Sequence, residues 1–559
     1  MNLQPIYDLA QICSLHGIRY AVISPGSRNA ALTIAFARHP KIECYSVSDE
    51  RSAAFIALGL SLKTGLPTAL ICTSGSAGLN YAPAVAEAYF NQVPLLVLTA
   101  DRPPEWIGER DGQTIYQENL YGRHVKKSFV FPSLSIDKDS VATGHDMVHE
   151  AVLLTQSNNK GPVHINVPFR EPFYPESGTV YDFNQNLVKT DPPNGLNPIP
   201  ELGKMMTELP KYKRVLLIVG QGAKQKSLND LLEGLSTQHQ IPIVADIISN
   251  VHEVAGVITG QDLFLKANEN KELQPDLLIT IGMSVISKNL KIFVRNHKPK
   301  AHWHVRDEAH APDTYKALTL AIQSDPESFL LHLSANLSVD QSQQEFFHAW
   351  QKTDQSAKEI IRNYESEQFS DYQGYKKVLQ SLPNNIDLHL ANSMAVRYAN
   401  VIGLRQDQKV EVYCNRGTSG IDGSNSTAVG ATLASPKPVV LLTGDVAFFY
   451  DINAFWHNSL SDNLKIIIFN NQGGGIFRMI DGPSQQPELE EFFETVQKRN
   501  AKLTAQEYHF EYMTSHDTND LTQTLPLFFE GGGRKILEIF TNPQESKEVY
   551  KDLFHKLSK

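Results

Sequence analysis

Short apolar runs alternate with longer helical periodicities through most of the chain. In the first third, runs at 20–24, 43–47, 69–73, 95–99 and 163–167 predict strands, with helical patterns such as 52–62 and 82–89 between them. The runs are apolar on both faces, as strands of a parallel sheet covered on both sides must be. Residues 174–200 lose the rhythm. They collect Pro175, Pro192, Pro193, Pro198 and Pro200 with Gly178 and Gly195, which marks an interdomain linker. Strands are predicted again at 215–219, 243–247, 277–281 and 302–305. Residues 340–376 turn polar and helical, a second crossing. The last third resumes with strands at 410–413, 439–443, 465–469 and 536–540, and a helical stretch at 452–460. The chain therefore reads as α/β, with three doubly wound parallel-sheet domains at 1–180, 200–345 and 370–559.

Length agrees, since 559 residues correspond to three or four domains. Hydrophobic residues at 41% and charged residues at 20% supply apolar surface for sizeable cores and exclude disorder as the main state. A net charge of −10, from 51 Lys+Arg against 61 Asp+Glu, argues against nucleic acid as a partner, because phosphate neutralisation needs a basic face. No apolar run approaches the roughly 18 residues of a membrane span, so no membrane partner is expected. The start carries no basic segment followed by an apolar one, and no secretory signal is expected. Cys13, Cys44, Cys72 and Cys414 are scattered, which fits a reducing cytoplasm better than a disulfide scaffold or a cysteine zinc site.

Candidate chemistry is clearest near the C-terminus. The strand 439–443 runs into Gly444-Asp445-Val446, and the strand 465–469 ends in Asn470-Asn471-Gln472-Gly473-Gly474-Gly475. An acid at one strand end and an amide at the next meet at the carboxyl edge of a parallel sheet, where such folds bind ligands. Asp445, Asn471 and a glycine carbonyl such as that of Gly473 form an oxygen set suited to Mg²⁺, which shares its shell with phosphates. Nearby helix starts supply N–H groups for those phosphates. The competing reading is two ordinary glycine turns with Asp445 as a helix cap. Elsewhere, Gly220-Gln221-Gly222 is half a dinucleotide fingerprint and reads as a vestigial Rossmann-like turn. His302 and His304 share a strand face and read as packing, and Gly531-Gly532-Gly533 as a loop.

The Asp445/Asn471 pair resembles the diphosphate-binding motif of thiamine-diphosphate enzymes, with Val446 where that motif has its second glycine. The resemblance implies an aminopyrimidine-facing glutamate in the N-terminal domain, and Glu50, opening a helix after a strand, matches it. Longer strings narrow the family: Ser24-Pro25-Gly26-Ser27-Arg28, Cys72-Thr73-Ser74-Gly75-Ser76-Ala77, Leu98-Thr99-Ala100-Asp101-Arg102-Pro103, Gly112-Gln113-Thr114-Ile115, Asn392-Ser393 with Arg397, Asn415-Arg416-Gly417-Thr418-Ser419-Gly420-Ile421-Asp422-Gly423, and Gly473-Gly474-Gly475-Ile476-Phe477. Together these resemble the 2-succinyl-5-enolpyruvyl-6-hydroxy-3-cyclohexene-1-carboxylate synthases, thiamine-diphosphate enzymes of menaquinone biosynthesis. The likeness is close in the first and last thirds and weaker in the middle.

That resemblance implies a transferase (a carboligase) that decarboxylates 2-oxoglutarate and adds the resulting succinyl-semialdehyde carbanion 1,4 to isochorismate. It implies pyrimidine-binding, central and diphosphate-binding domains in that order, thiamine diphosphate with Mg²⁺ or Mn²⁺, and a homodimer or dimer of dimers (a homotetramer). By position, Glu50, Gln113, Arg397 and Arg416 would be catalytic. Ser419, Gly420, Ile421, Gly444, Asp445, Val446, Asn471, Gly473, Ile476 and Phe477 would join Glu50 in holding the cofactor, with Ile421 wedged between its rings. Ser393, Arg397 and Arg416 would hold 2-oxoglutarate, and Ser27, Arg28, Arg102, Gln113 and Lys288 isochorismate. Arginine's planar fork suits two dicarboxylates on an otherwise acidic protein. Gly112 stands where the family usually has Asn, and Asn289 where it usually has Arg; each removes a polar partner on the isochorismate side. The alternatives are another thiamine-diphosphate decarboxylase or carboligase, and a non-catalytic nucleotide-binding protein of the same fold.

Overall fold

The structure is a computed structural model that describes residues 3–132, 138–157, 159–171, 173–175, 178–187, 202–265, 271–306 and 312–557. Its strands form three six-stranded sheets. The first holds β1 (Tyr20–Ile23), β2 (Glu43–Ser46), β3 (Thr68–Cys72), β4 (Leu95–Asp101), β5 (Ser128–Val130) and β6 (Pro162–Pro168), in the order β2-β1-β3-β4-β6-β5. The second holds β7 (Val215–Val219), β8 (Ile243–Ala245), β9 (Val257–Ile258), β10 (Leu277–Ile281), β11 (Ala301–Arg306) and β12 (Leu320–Gln323), in the order β12-β11-β10-β7-β8-β9. The third holds β13 (Ile386–Leu390), β14 (Val410–Tyr413), β15 (Val439–Gly444), β16 (Leu464–Asn470), β17 (Glu511–Ser515) and β18 (Lys535–Phe540), in the order β14-β13-β15-β16-β18-β17. Every pairing is parallel. Each sheet winds outward both ways from a central pair, β1/β3, β7/β10 and β13/β15, and that switch point opens a crevice at its carboxyl edge; in the first and third sheets the last strand turns back, so that β6 lies inside β5 and β18 inside β17.

All thirteen strands read from the sequence are present, and five more appear among the described residues. Four of the five, β5, β9, β12 and β17, are edge strands. Each of the four is only two to five residues long, too short for its pattern to stand out in the sequence. The fifth, β13, is interior and fully buried, but Asp387 and His389 interrupt its apolar pattern. Their burial is compensated: Asp387 takes the Ser435 hydroxyl at 2.6 Å and the Lys63 ammonium at 2.8 Å, and His389 stacks on Tyr413. The helical stretch expected at 452–460 is a correction. The helix is Asp445–Tyr450, starting at the strand end itself, and only a 3₁₀ turn, Ile452–Phe455, follows. The polar crossing at 340–376 is two helices, Gln341–Asn363 and Asp371–Ser381. Of the expected linker, residues 176–177 and 188–200 lie outside the described residues. Within 178–187, Tyr181 and Phe183 pack their rings on Tyr7, tying this stretch to the first sheet's helices.

The first and third sheets share one apolar core. The contact runs through the helices Glu50–Thr64 and Ser424–Ala434, which cross at glycines. A Cβ on Gly59 would lie 2.0 Å from the Thr427 carbonyl, and one on Gly430 would lie 2.0 Å from that of Ile56. Neither position admits a side chain, so the two backbones lock together. The register of everything after Glu50 is thereby set against the third domain. Among the described residues no helix is long and apolar enough to cross a membrane.

Candidate active site

In the third sheet the neighbouring strands β14, β13, β15 and β16 end in Asn415-Arg416, Asn392-Ser393, Gly444-Asp445 and Asn471 respectively. Parallel pairing brings these four ends into one row astride the switch point, although 79 positions separate Asn392 from Asn471. Asp445 is buried at the first position of its helix. Burial pushes its carboxyl up to about 7. A hydrogen bond from Gln497 Nε2 to Oδ2, at 2.5 Å, pulls the other way, and nearby Asp371 raises it further. Val446, inside the helix, needs no glycine freedom.

Asn471 is the clearest test of whether this site suits a cation. Its Nδ2 donates to Asp371 Oδ2 at 2.9 Å, while its Oδ1 is buried without a protein partner. A buried carbonyl oxygen left unmatched costs about 1–3 kcal/mol unless something binds it. The Gly473 carbonyl accepts from Gly475 N–H at 3.0 Å and keeps a second lone pair. The donor set is one carboxylate, one amide oxygen and one backbone carbonyl, which fits a hard, oxygen-seeking divalent cation. Gly473 is needed because a Cβ would sit 2.8 Å from the Glu494 carbonyl. Ile476 and Phe477 open the following short helix, with Phe477 packed near Phe493.

The arginines converge. Arg397 lies one turn beyond Ser393 on the helix Met394–Ile402. Its Nε is buried without a partner, and it makes no hydrogen bond or ion pair among the described residues. Arg416 Nη1 donates to Asn392 Oδ1 at 2.8 Å, and its Nε is likewise unmatched. Lys291 of the central domain donates to the Val285 carbonyl at 2.7 Å and lies within electrostatic reach of both. Burial holds its ammonium below the usual lysine range; Asp246 opposes this, and Arg416, Arg295 and Arg397 add to it. Cations that influence one another in a partly buried region repel, so the region favours an anionic ligand. Asn392 Nδ2 ties the loop by donating to the Asn415 and Gly420 carbonyls, both at 2.7 Å. Ser419 adopts φ +63, and the Ile421 side chain is left 37% exposed, an apolar projection from an otherwise polar loop.

The first sheet repeats the arrangement. Its adjacent strands β2, β1, β3 and β4 lead to Glu50, Ser27-Arg28, Gly75 and Arg102. Asp49 caps the helix by accepting Ser52 N–H at 3.1 Å, which leaves Glu50 in the first turn. Glu50 is half-buried, near Cys72 and Tyr81, and its carboxylate has no hydrogen-bond or ion-pair partner among the described residues. Arg28 is buried, donates to the Phe169 carbonyl at 3.1 Å and stacks on Phe173. Arg28 and Arg102 flank the Trp106 ring at 5.8 and 6.0 Å, and Arg102 Nε has no partner. Gln113, at φ +58 and exposed, packs over Gly75. Ser27 and Lys288 are exposed, Lys288 at the start of the helix Lys288–Asn296.

Several contributors escaped the sequence reading: Asp371, Gln497, Lys291, Trp106, Asn392 as a tie and Glu87. None stands in a glycine turn; Asn392 belongs to a quoted string, though not for this role, and Trp106 lies near one. Conversely, Gly220 is a packing glycine, since a Cβ would lie 2.0 Å from the Met283 carbonyl. His302 Nε2 and His304 Nδ1 both meet the Thr280 hydroxyl, and burial lowers each to about 4. Asn289 turns inward, its Nδ2 donating to the Asp262 carbonyl at 2.6 Å.

Family comparisons agree with this architecture. The model "Thiamine pyrophosphate enzyme, N-terminal TPP binding domain" matches residues 7–123, "Middle domain of thiamine pyrophosphate" residues 204–390, and "Thiamine pyrophosphate enzyme, C-terminal TPP binding domain" residues 394–539. Three doubly wound sheets with these strand-end sites define a thiamine-diphosphate enzyme. The chain is 43% identical to the 2-succinyl-5-enolpyruvyl-6-hydroxy-3-cyclohexene-1-carboxylate synthase of Cytophaga hutchinsonii, over 98% of both chains. It is 40% identical to that of Flavobacterium johnsoniae and 37% to that of Bacteroides fragilis, each over 99% of this chain and 98% of the relative. It belongs to the 2-succinyl-5-enolpyruvyl-6-hydroxy-3-cyclohexene-1-carboxylate synthase family.

Proposed function

We propose that the chain decarboxylates 2-oxoglutarate and joins the remaining four-carbon unit to isochorismate in a 1,4 sense, releasing CO₂, as a step of menaquinone biosynthesis in the cytoplasm. One observation carries the reading beyond the family name. The atoms Asn471 Oδ1, Arg102 Nε, Arg397 Nε and Arg416 Nε are all buried without protein partners, and all belong to residues singled out for cation or carboxylate binding.

Thiamine diphosphate, when bound, supplies the electron sink for decarboxylation and the nucleophilic carbon for the new bond. Asp445, Asn471 and Gly473 would hold Mg²⁺ or Mn²⁺, and Gly444, Val446 and the first turn of the helix Asp445–Tyr450 would bind the diphosphate. Glu50 would hydrogen-bond the aminopyrimidine ring nitrogen. Ile421, with Ser419, Gly420, Ile476 and Phe477, shapes the cofactor's seat. Ser393, Arg397 and Arg416 clamp 2-oxoglutarate, while Ser27, Arg28, Arg102, Gln113 and Lys288 orient isochorismate. Closure of this cleft keeps water from the reacting carbon. On this reading residues 1–180, 200–345 and 370–559 are the pyrimidine-binding, central and diphosphate-binding domains.

We further propose that the site is completed in a homodimer, or a dimer of dimers. Within one chain the start of the helix Glu50–Thr64 meets the far end of the Asp445 helix, through Arg51 to the Tyr450 carbonyl and Asn453 to Asp49, and not Asp445 itself. The deciding assay incubates protein, thiamine diphosphate, Mg²⁺ and 2-oxoglutarate with and without isochorismate and identifies products by mass. Consumption of 2-oxoglutarate without an isochorismate adduct would sink the acceptor assignment.

A further inference from the structure

The amide of Asn471 has two faces of nearly equal size, and only one of them is a cation ligand. Something must hold the oxygen side toward Asp445. Asp371 occupies the other side. It is 2% exposed, at the first position of the helix Asp371–Ser381, 100 residues before Asn471. Its Oδ2 accepts Asn471 Nδ2–H at 2.9 Å, and its Oδ1 accepts the Thr541 hydroxyl. Its own N–H donates to Ser546 Oγ at 3.0 Å. Thr541 follows β18, the neighbour of β16, so the carboxylate lies across two adjacent strand ends. A carboxylate accepts and does not donate, and it therefore admits only the NH₂ side of the amide. Gly475 completes the seat, since a Cβ there would strike Asn471 Nδ2 at 2.7 Å.

We propose that Asp371 is the positioning residue of the divalent-cation site: by accepting Asn471 Nδ2–H it selects the amide orientation that presents Oδ1 to the cation. The inference rests on the reading of Asp445, Asn471 and Gly473 as that site. Remove the acceptor and the amide turns freely, so that half its orientations aim N–H groups at a cation.

The test measures Mn²⁺ dissociation constants, from the electron paramagnetic resonance of free Mn²⁺ in the presence of thiamine diphosphate, for the full chain. The quantity read is the factor by which Asp371→Asn weakens Mn²⁺ binding, taken once with Asn471 intact and once with Asn471→Asp. With Asn471 intact we expect about tenfold or more, because an amide at position 371 can present either its oxygen or its NH₂ group to Asn471 and no longer selects one orientation. With Asn471→Asp we expect a factor of one or less, because a carboxylate has two equal oxygens, and the new amide at position 371 donates to one of them and removes a like charge beside it. Equal factors in both backgrounds would reduce Asp371 to a nearby charge or a packing group and overturn the proposal. If Asp371→Asn alone does not fold, recovery of folding and Mn²⁺ binding in the double variant supports it, and failure of the double variant to bind Mn²⁺ overturns it. Asp445→Ala separates the two levels: unchanged Mn²⁺ affinity there would remove the metal site itself.

Discussion

The buried carboxylate of Glu87, in the helix Ala82–Phe90, accepts the backbone N–H of Gly417 at 2.8 Å from 330 residues away. The same carboxylate takes the Thr418 N–H at 2.6 Å and its hydroxyl at 2.8 Å. A Cβ on Gly417 would lie 2.4 Å from the Glu87 carbonyl, so the loop carrying Arg416 is seated on the first domain by close approach as well as charge. Glu87→Gln has a single acceptor oxygen, so at least one of these half-exposed donors loses its charged partner, at about 1 kcal/mol. The thermal midpoint should fall and the KM for 2-oxoglutarate should rise several-fold as Arg416 loses its seat. An unchanged KM would mean that the loop holds its shape without Glu87.

The division of cations between substrates gives a second expectation. Losing one charge-assisted pair in a closed cleft costs on the order of 2–4 kcal/mol. Arg397→Ala should raise the KM for 2-oxoglutarate by a large factor and affect isochorismate less. Arg102→Ala, which also strips one side of Trp106, should do the reverse. Equal losses for both substrates in either variant would refute separate clamps.

If the carboxylate of Glu50 serves a site built on Asp445 of a second copy, two dead proteins should rescue each other. Glu50→Gln and Asp445→Ala proteins are mixed and allowed to exchange subunits. Each hybrid dimer then carries one intact site of its two, and activity returns. Exchange proven by mass without recovered turnover would place both residues of a site in one chain.

Stability should fall with acid, and His389 is one reason. Burial lowers its imidazole from 6.5 to about 4, with Asp387 opposing and Lys63 assisting. Between those values the unfolded chain takes up a proton that the folded chain refuses. Folding stability therefore drops as pH falls from about 6.5 to about 4, by about 1.4 kcal/mol per pH unit for this residue. Denaturant unfolding of wild type and His389→Gln at pH 7 and 5 checks this: the variant should lose less on acidification. Parallel losses would show that His389 protonates while folded.

The strand-end chemistry was legible because it is local. Asp445, Asn471, Glu50 and the arginine strings each sit within a few residues of an apolar run and a glycine turn, and that juxtaposition survives in one dimension. What escaped reading shares a different property. Asp371 looks like any acid in a helix's first turn, Glu87 like any acid within a helix, and Lys291 like one more lysine on an amphipathic helix. Their significance lies in partners 100, 330 and more than 100 residues away. Likewise Asp387 and His389 disguised β13 as polar, because their compensation by Ser435, Lys63 and Tyr413 comes from other elements.

By itself, then, the sequence determined the α/β rhythm, the sense of the winding and the chemistry placed at each strand's carboxyl end, since side-chain period and backbone turns are short-range properties. The tertiary structure alone decided which strand ends became neighbours, which face of Asn471 turned outward, and which arginine nitrogens were buried without a partner. Those outcomes depend on the strand order β14-β13-β15-β16 and on glycine contacts between distant helices. Burial and hydrogen-bond satisfaction are properties of the folded neighbourhood, and no local stretch of chain contains them.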